Sequence, residues 1–222
     1  MLITPLFHDR VQAGQVLARK LRSFVFDTDT LVLALPRGGV PVAFQIAQAL
    51  PADLDICLVR KIGVPGEDEL AMGAIASGGT RVLNKFLIGH LGISPAEVEQ
   101  ATAKEQREIE RREHLYRDGR PALPIQGRVA ILVDDGLATG ASMLAAVQAV
   151  RTKQPRRVVV AVPVASRETC DDFRRLVDDV ICAATPEPFH SVGVWYQDFS
   201  QTSDAEVCEL LERASRQHVA KR

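Results

Sequence analysis

Residues 129–142 read VAILVDDGLATGAS, and how this stretch is understood decides the fold. Five apolar residues run directly into two adjacent aspartates, Asp134 and Asp135, followed by a loop holding Gly136, Thr139, Gly140 and Ser142. An unbroken apolar run of this length fits a strand buried on both faces. Adjacent carboxylates repel one another, and holding both at a strand end is unfavourable unless something useful binds them. Gly140 permits backbone angles and close approaches that other residues do not. Thr139, Gly140, Ala141 and Ser142 would open the next helix, where free amides and two hydroxyls form a cradle for phosphate. Ionised carboxylates only accept hydrogen bonds, so the partners they call for are hydroxyl donors or a metal. A ligand with a phosphate at one end and a vicinal diol beside it matches both halves, and ribose 5-phosphate has that form. The plainer alternative is a strand-to-helix turn with a threonine cap.

The surrounding sequence repeats the strand–helix alternation. TLVLALP (30–36) is a buried strand closed by proline, GVPVAFQIAQAL a helix with Pro41 in its first turn, and LDICLVR (54–60) a second strand. RVAILVDD (128–135), RRVVVAVPVA (156–165) and DDVICAA (178–184) continue the series, with helices in ASMLAAVQAVRTK and RETCDDFRRLV between them. Strand, helix, strand is the unit of a parallel sheet. An amphipathic helix is predicted over 9–25, with Val11, Val16, Leu17, Leu21 and Phe24 at helical spacing, and a last helix near 204–217. Residues 61–83 are glycine-rich and suggest a mobile loop, then a short hairpin turning at Gly78-Gly79. Residues 95–117 alternate both charges around a thin apolar stripe of Val98, Ala101, Ile109 and Leu115, which predicts a long, largely solvated helix.

The expected fold class is therefore α/β: a parallel five-stranded sheet with helices on both faces. To this are added a loop, hairpin and helical insertion (61–127) and a C-terminal hood segment and helix (186–222), all within a single domain of 1–222. The 222 residues suit one domain of this size. A net charge of −1 gives no bulk electrostatic case for nucleic acid or membrane partners. No apolar run approaches the roughly 20 residues of a membrane helix, and the start of the chain lacks the layout of a signal peptide. The expected location is the cytoplasm. Cys57, Cys170, Cys182 and Cys208 form no CxxC pair and read as reduced thiols, and the histidines show no metal-ligand spacing.

Three polar, glycine-containing stretches follow predicted strands: PRGG (36–39), RKIGVPGE (60–67) and DDGLATGAS (134–142). In an open parallel sheet the carboxyl ends of the strands share one rim, where ligands bind. The three stretches would converge there. Neither the P-loop nor the GxGxxG dinucleotide fingerprint occurs.

VAILVDDGLATGAS resembles the signature of type I phosphoribosyltransferases, and the order of the other two stretches agrees across residues 30–185. The wider pattern, with FHDRVQAG (7–14) and WYQDF (195–199), is similar to a group of predicted phosphoribosyltransferases of undefined substrate. The resemblance implies a transfer of ribose 5-phosphate from phosphoribosyl pyrophosphate to a nitrogenous base or related amine, with Mg2+ and release of pyrophosphate. It implies that Asp134 and Asp135 hold the ribose hydroxyls and serve as the metal ligands, and that Ala138, Thr139, Gly140, Ala141 and Ser142 hold the 5-phosphate. Arg37, Gly38 and Gly39 would meet pyrophosphate, with a strained cis peptide at Arg37–Gly38. Arg60 and Lys61 would meet the same anion, with Lys61 and Arg37 joining the aspartates in catalysis.

Relatives that act on purines often carry an acid where this chain has Ala138, which makes 6-oxopurine transfer less favoured. A flat platform for the base is sought in Phe189 and Trp195, with Tyr196 and His190 nearby; the aromatics could instead pack a core. The resemblance also suggests a homodimer. A regulatory protein that binds phosphoribosyl pyrophosphate or a nucleotide on the same fold, without catalysis, is the competing reading. A hydrolase built on the two aspartates lacks the expected DxD spacing.

Overall fold

A computed structural model describes residues 4–22 and 29–221. The elements, in order, are α1 (Arg10–Leu21), β1 (Thr30–Ala34), α2 (Gly39–Ala49), β2 (Ala52–Ile56), β3 (Val59–Val64), β4 (Glu67–Ala76), β5 (Thr80–Leu83), α3 (Lys85–His90), α4 (Pro95–Arg117), β6 (Val129–Val133), α5 (Ala141–Arg151), β7 (Arg157–Val164), α6 (Arg167–Arg174), β8 (Asp179–Ala184) and α7 (Asp204–Lys221). Residues 23–25 of the predicted first helix, Phe24 of its apolar set among them, lie outside the described residues.

Five strands form a parallel sheet in the order β2-β1-β6-β7-β8. Successive strand residues face opposite sides of a sheet, and β1 and β6 are buried on both. Val32, Ala34, Ile131 and Val133 join one core with Leu17 and Leu21 of α1, Val42 and Ile46 of α2, and Val207 and Leu211 of α7. Leu31, Leu33, Ala130 and Leu132 join the other with Met143 and Val147 of α5 and Phe173 of α6. This two-sided burial explains why the strands are continuous apolar runs. β2 is the exception: Asp53 and Asp55 are buried there, neutralised by Arg128 and Arg117.

The chain leaves β1 toward β2 through α2 on one face, and leaves β6 toward β7 through α5 on the other. The topological switch point therefore falls between β1 and β6. Crevices outside the carboxyl ends of strands at such a point are where open α/β sheets bind ligands.

Three expectations need correction. The apolar run 54–60 is two strands, because β2 ends at Ile56 and Val59 starts a separate antiparallel sheet, β3-β4-β5. The loop expected from residue 61 is the rising arm of a hairpin that turns at Pro65–Gly66. The glycines that suggested a loop sit within or between paired strands: Gly63 at a register shift, and Gly73 where an added Cβ would lie 2.5 Å from the Val82 carbonyl. The Gly78-Gly79 turn between β4 and β5 is as expected, both residues having positive φ. Finally, Cys170 and Cys182 are joined as a disulfide, and Cys57 and Cys208 are free. Packing of α6 against β8 brings the pair together, which a separation of 12 residues does not reveal.

α4 is capped by a Ser94–Glu97 capping box with Pro95 in its first turn. Val98 and Ile109 of its expected stripe are buried, but Leu115 is exposed and Tyr116 takes the inward position.

Candidate functional site

The loops after β1 and β6 meet at the switch point. Leu35 donates its amide to the Val133 carbonyl at 2.8 Å, so the strand ends are still paired where the loops begin. Beyond it, Gly38 and Gly39 lie against the two aspartates. A Cβ on Gly38 would fall 2.0 Å from Asp135 Oδ2, and one on Gly39 would fall 2.7 Å from the Val133 carbonyl and 3.3 Å from Asp134 Oδ1. Only glycine fits at either position, which accounts for the GG of PRGG.

Each carboxylate has one oxygen committed. Asp134 Oδ1 accepts the Asp135 amide at 2.8 Å. Asp135 Oδ2 accepts Arg10 Nε at 2.8 Å. Asp134 Oδ2 and Asp135 Oδ1 take part in neither of these bonds, and as acceptors they suit the hydroxyls of a diol. Burial and the neighbouring Asp135 charge hold Asp134 well above the usual carboxylate range. Burial also raises Asp135, against the opposing pull of Arg10. The ionised form of each is thus disfavoured by burial and would gain from a donor or cation arriving at the site.

Two helices begin here, and both start without a side-chain cap. α2 starts after Gly38, where the Gly39 and Val40 amides already donate to the Leu35 and Arg37 carbonyls at 3.0 and 3.1 Å, and α5 starts after Gly140 in left-handed conformation (φ 73°). By contrast α1, α3, α4 and α6 are capped by Asp9, Asn84, Ser94 and Ser166. In α5 the first amide to find an intrahelical acceptor is that of Leu144, on the Gly140 carbonyl at 2.8 Å. The preceding amides point into the loop, where an anion would satisfy them. Ala138, Thr139, Ala141 and Ser142 are exposed. Gly140 is buried because the loop rests on α6: a Cβ there would meet the Phe173 ring at 2.5 Å, and Thr169 donates its hydroxyl to the Ala138 carbonyl at 3.0 Å.

The other expected residues divide. Arg37 is at the loop, its Nη1 3.6 Å from Asp204 Oδ1 at the start of α7, and Asp204 also accepts the hydroxyl of buried Tyr116 at 2.6 Å. The cis peptide is Pro36–Arg37, one bond before the expected position. Arg60 lies on β3 and is bound to Glu105 of α4 at 2.7 Å. Lys61, the next residue, is exposed and faces the opposite side of that strand. The two therefore do not form one cationic patch. Phe189 is half-buried, and Trp195 is only 7% exposed, packed with Phe7, Ala13, Val164 and Tyr196. Trp195 is thus a core residue of the C-terminal segment. His190 is exposed.

Sequence reasoning missed Arg10. It lies 125 residues from its partner Asp135, on the first turn of α1. The only sequence signal was its place in FHDRVQAG. Tyr196 was considered for the base, yet its hydroxyl donates to the Asp135 carbonyl at 2.5 Å, behind the acidic pair. Among the described residues there is no group of three or more His, Cys, Asp or Glu arranged to hold a metal ion. No described helix is long and apolar enough to cross a membrane.

Known proteins resemble this chain in sequence and in fold. A protein of Mycobacterium tuberculosis (strain H37Rv) named "Putative phosphoribosyl transferase Rv0571c" is 44% identical over 211 residues, which is 95% of this chain and 47% of that protein. The chain thus spans about half the length of the curated relatives it matches. The crystal structure of TT1426 from Thermus thermophilus superposes with a TM-score of 0.82 at 40% identity, covering 93% of this chain and 98% of that one. A hypothetical protein from Neisseria gonorrhoeae, at 12% identity and a TM-score of 0.50, covers 100% and 99% and shares the fold alone. The profile of the phosphoribosyl transferase domain matches residues 8–191, and with it the chain belongs to the phosphoribosyl transferase domain family.

Proposed function

We propose that this domain is a phosphoribosyltransferase. It takes phosphoribosyl pyrophosphate, moves its ribose 5-phosphate to a nitrogen of a base or related amine, and releases pyrophosphate. The observation that carries this reading is the uncapped start of α5 at Gly140 beside the two carboxylates, with Arg37 and the Gly38–Gly39 turn pressed against their other side. The substrate is an anion at each end with a diol between, and the site has that pattern.

In this reading the amides of residues 139–142 and the hydroxyls of Thr139 and Ser142 bind the 5-phosphate. Asp134 Oδ2 and Asp135 Oδ1 accept from the ribose hydroxyls. Arg37 and the Gly38 amide bind pyrophosphate, the Gly39 amide being taken by the Leu35 carbonyl. As the bond from the sugar to pyrophosphate breaks, positive charge grows on the sugar, and the carboxylates stabilise it. The Pro65–Gly66 hairpin tip would exclude water from the sugar, with exposed Lys61 on its rising arm as the further cation. Arg60 is already engaged by Glu105 and takes no part.

Magnesium fits as an ion shared with the ligand. It binds through one or two carboxylates plus phosphates and water rather than an all-protein cage, and Asp134 and Asp135 supply that share. When bound, it would neutralise the departing pyrophosphate. In this reading Phe189 and Ala138 would bound the acceptor side, and because Ala138 brings no acid, a base that needs no carboxylate partner at that point is favoured. A homodimer is part of the proposal and is tested by light scattering.

The test is pyrophosphate release from phosphoribosyl pyrophosphate and magnesium with a panel of bases and amines. Release with at least one acceptor supports the reading. Tight binding of phosphoribosyl pyrophosphate with no release from any acceptor overturns it in favour of a sensing role.

A further inference from the structure

We propose that Arg10 is a positioning residue with two arms, one setting Asp135 for the sugar and the other holding the C-terminal segment closed over the acceptor side. It rests on the reading of Asp134 and Asp135 as the sugar-holding pair, and extends that reading to a residue outside the three loops.

The geometry is a closed circuit. Arg10 Nε donates to Asp135 Oδ2 at 2.8 Å, while Nη1 donates to the Ser200 carbonyl at 2.6 Å. The guanidinium lies 3.9 Å from the centroid of the Phe199 ring. Phe199 packs on Tyr196 with ring centroids 5.0 Å apart, and the Tyr196 hydroxyl returns to the Asp135 carbonyl at 2.5 Å. Side chain and main chain of Asp135 are thus gripped by the two ends of one chain of contacts. The side chains of Arg10 and Asp135 are only 12% and 16% exposed, so the pair is not a solvent-screened surface bridge.

The same oxygen that Arg10 holds, Asp135 Oδ2, faces Gly38. It is therefore turned toward the pyrophosphate loop, leaving Oδ1 for a hydroxyl. The planar guanidinium supplies both arms at once, because its donors point in fixed, different directions. A lysine ammonium at this position could reach one acceptor but not reproduce the fork and the ring stacking together.

Residues 195–198 are laced to the segment that precedes α1. Leu6 and Phe7 donate to the Trp195 carbonyl, Gln197 to the Phe7 carbonyl and Asp198 to the His8 carbonyl. Arg10 continues this lacing to Ser200 and ties it to the site. The chain has one tryptophan, Trp195, and it sits inside this segment, which makes its fluorescence a direct report on whether the segment is seated.

The experiment uses the full chain as wild type, R10Q and R10K, with F199L as a variant that touches the second arm alone. Binding of ribose 5-phosphate and of pyrophosphate is measured separately by calorimetry with magnesium present. Acrylamide quenching of Trp195 reports the segment. In R10Q, ribose 5-phosphate is expected to weaken by about tenfold or more. Pyrophosphate should weaken less than ribose 5-phosphate, because Arg10 and Asp135 Oδ2 only flank its loop at Gly38, and Trp195 quenching should rise. R10K should recover most of the sugar affinity and none of the shielding of Trp195. F199L should raise quenching and keep sugar binding. R10Q with unchanged sugar affinity and unchanged quenching overturns the proposal, as does equal loss of both ligands, which would mean general collapse. R10K that restores both readouts refutes the two-armed role. Wild-type protein that binds neither probe refutes the sugar-phosphate reading itself, a result distinct from failure of Arg10 alone.

Discussion

Replacing Asp134 by asparagine should make the unliganded protein more stable while disabling it. Asparagine keeps the Oδ1 acceptor that holds the Asp135 amide at 2.8 Å, so the loop retains its local bond. What changes is the other position, where an acceptor oxygen becomes an NH2 donor and a buried charge beside Asp135 disappears. Burial and the Asp135 charge both raise Asp134, so the ionised form is less comfortable in the folded protein than in the unfolded chain. Relief of such a charge conflict is worth about 1–2 kcal/mol. For a chain of this size that is a Tm increase of about 2–8 °C.

The pH dependence has a definite sign. A carboxyl raised above its ordinary value of 3.8 in the fold carries no penalty when protonated in both states. The penalty grows as pH rises above 3.8 and levels off above the raised value. The advantage of D134N should therefore vanish on acidification toward pH 3.8, grow as pH rises, and be full only above the raised value. Binding of ribose 5-phosphate should fall by about 10- to 150-fold, the loss of a hydrogen bond to a charged group. The assays are thermal melts from acid to alkaline pH and calorimetric titration. A D134N protein less stable than wild type at neutral pH, or a Tm gain that increases toward acid, would refute the argument.

Other substitutions test separate parts of the site. Gly140→Ala meets a positive φ and the Phe173 ring at 2.5 Å, so it should lower stability by about 2–5 kcal/mol in chemical denaturation; a change below about 1 kcal/mol would mean the loop relaxes freely. Arg37→Gln should weaken pyrophosphate by about 10- to 150-fold in calorimetry and leave ribose 5-phosphate little changed; equal loss of both would contradict the division of labour. Glu105→Gln releases Arg60 from α4, and should cost about 1 kcal/mol or less because the arginine is partly exposed, without altering pyrophosphate affinity. A marked gain in that affinity would return Arg60 to the site.

The parallel core was legible because both of its faces are buried. Val129–Val133 and Leu31–Ala34 had to be apolar throughout, and that is what a reader of the sequence sees. The acidic pair and the glycine loops were legible for a related reason. Gly38 and Gly39 have side-chain or main-chain atoms where a Cβ would go, and Gly140 needs positive φ. The β3–β4 hairpin was not legible, since its glycines mimic a loop while permitting close strand approach. Arg60 and Lys61 looked like one basic patch until strand alternation sent them to opposite faces. Trp195 could equally have been a platform or a core residue, and only its packing among Phe7, Val164 and Tyr196 decides. Arg10 and the Cys170–Cys182 pair depend on tertiary neighbours, which local spacing does not encode.

The central claim is that the acidic pair and the start of α5 hold the two ends of one sugar phosphate. A crystal structure with ribose 5-phosphate bound tests it most directly. The account predicts the sugar hydroxyls on Asp134 Oδ2 and Asp135 Oδ1, with the phosphate on the amides of residues 139–142. A phosphate bound elsewhere, or hydroxyls that leave both carboxylates untouched, would contradict it.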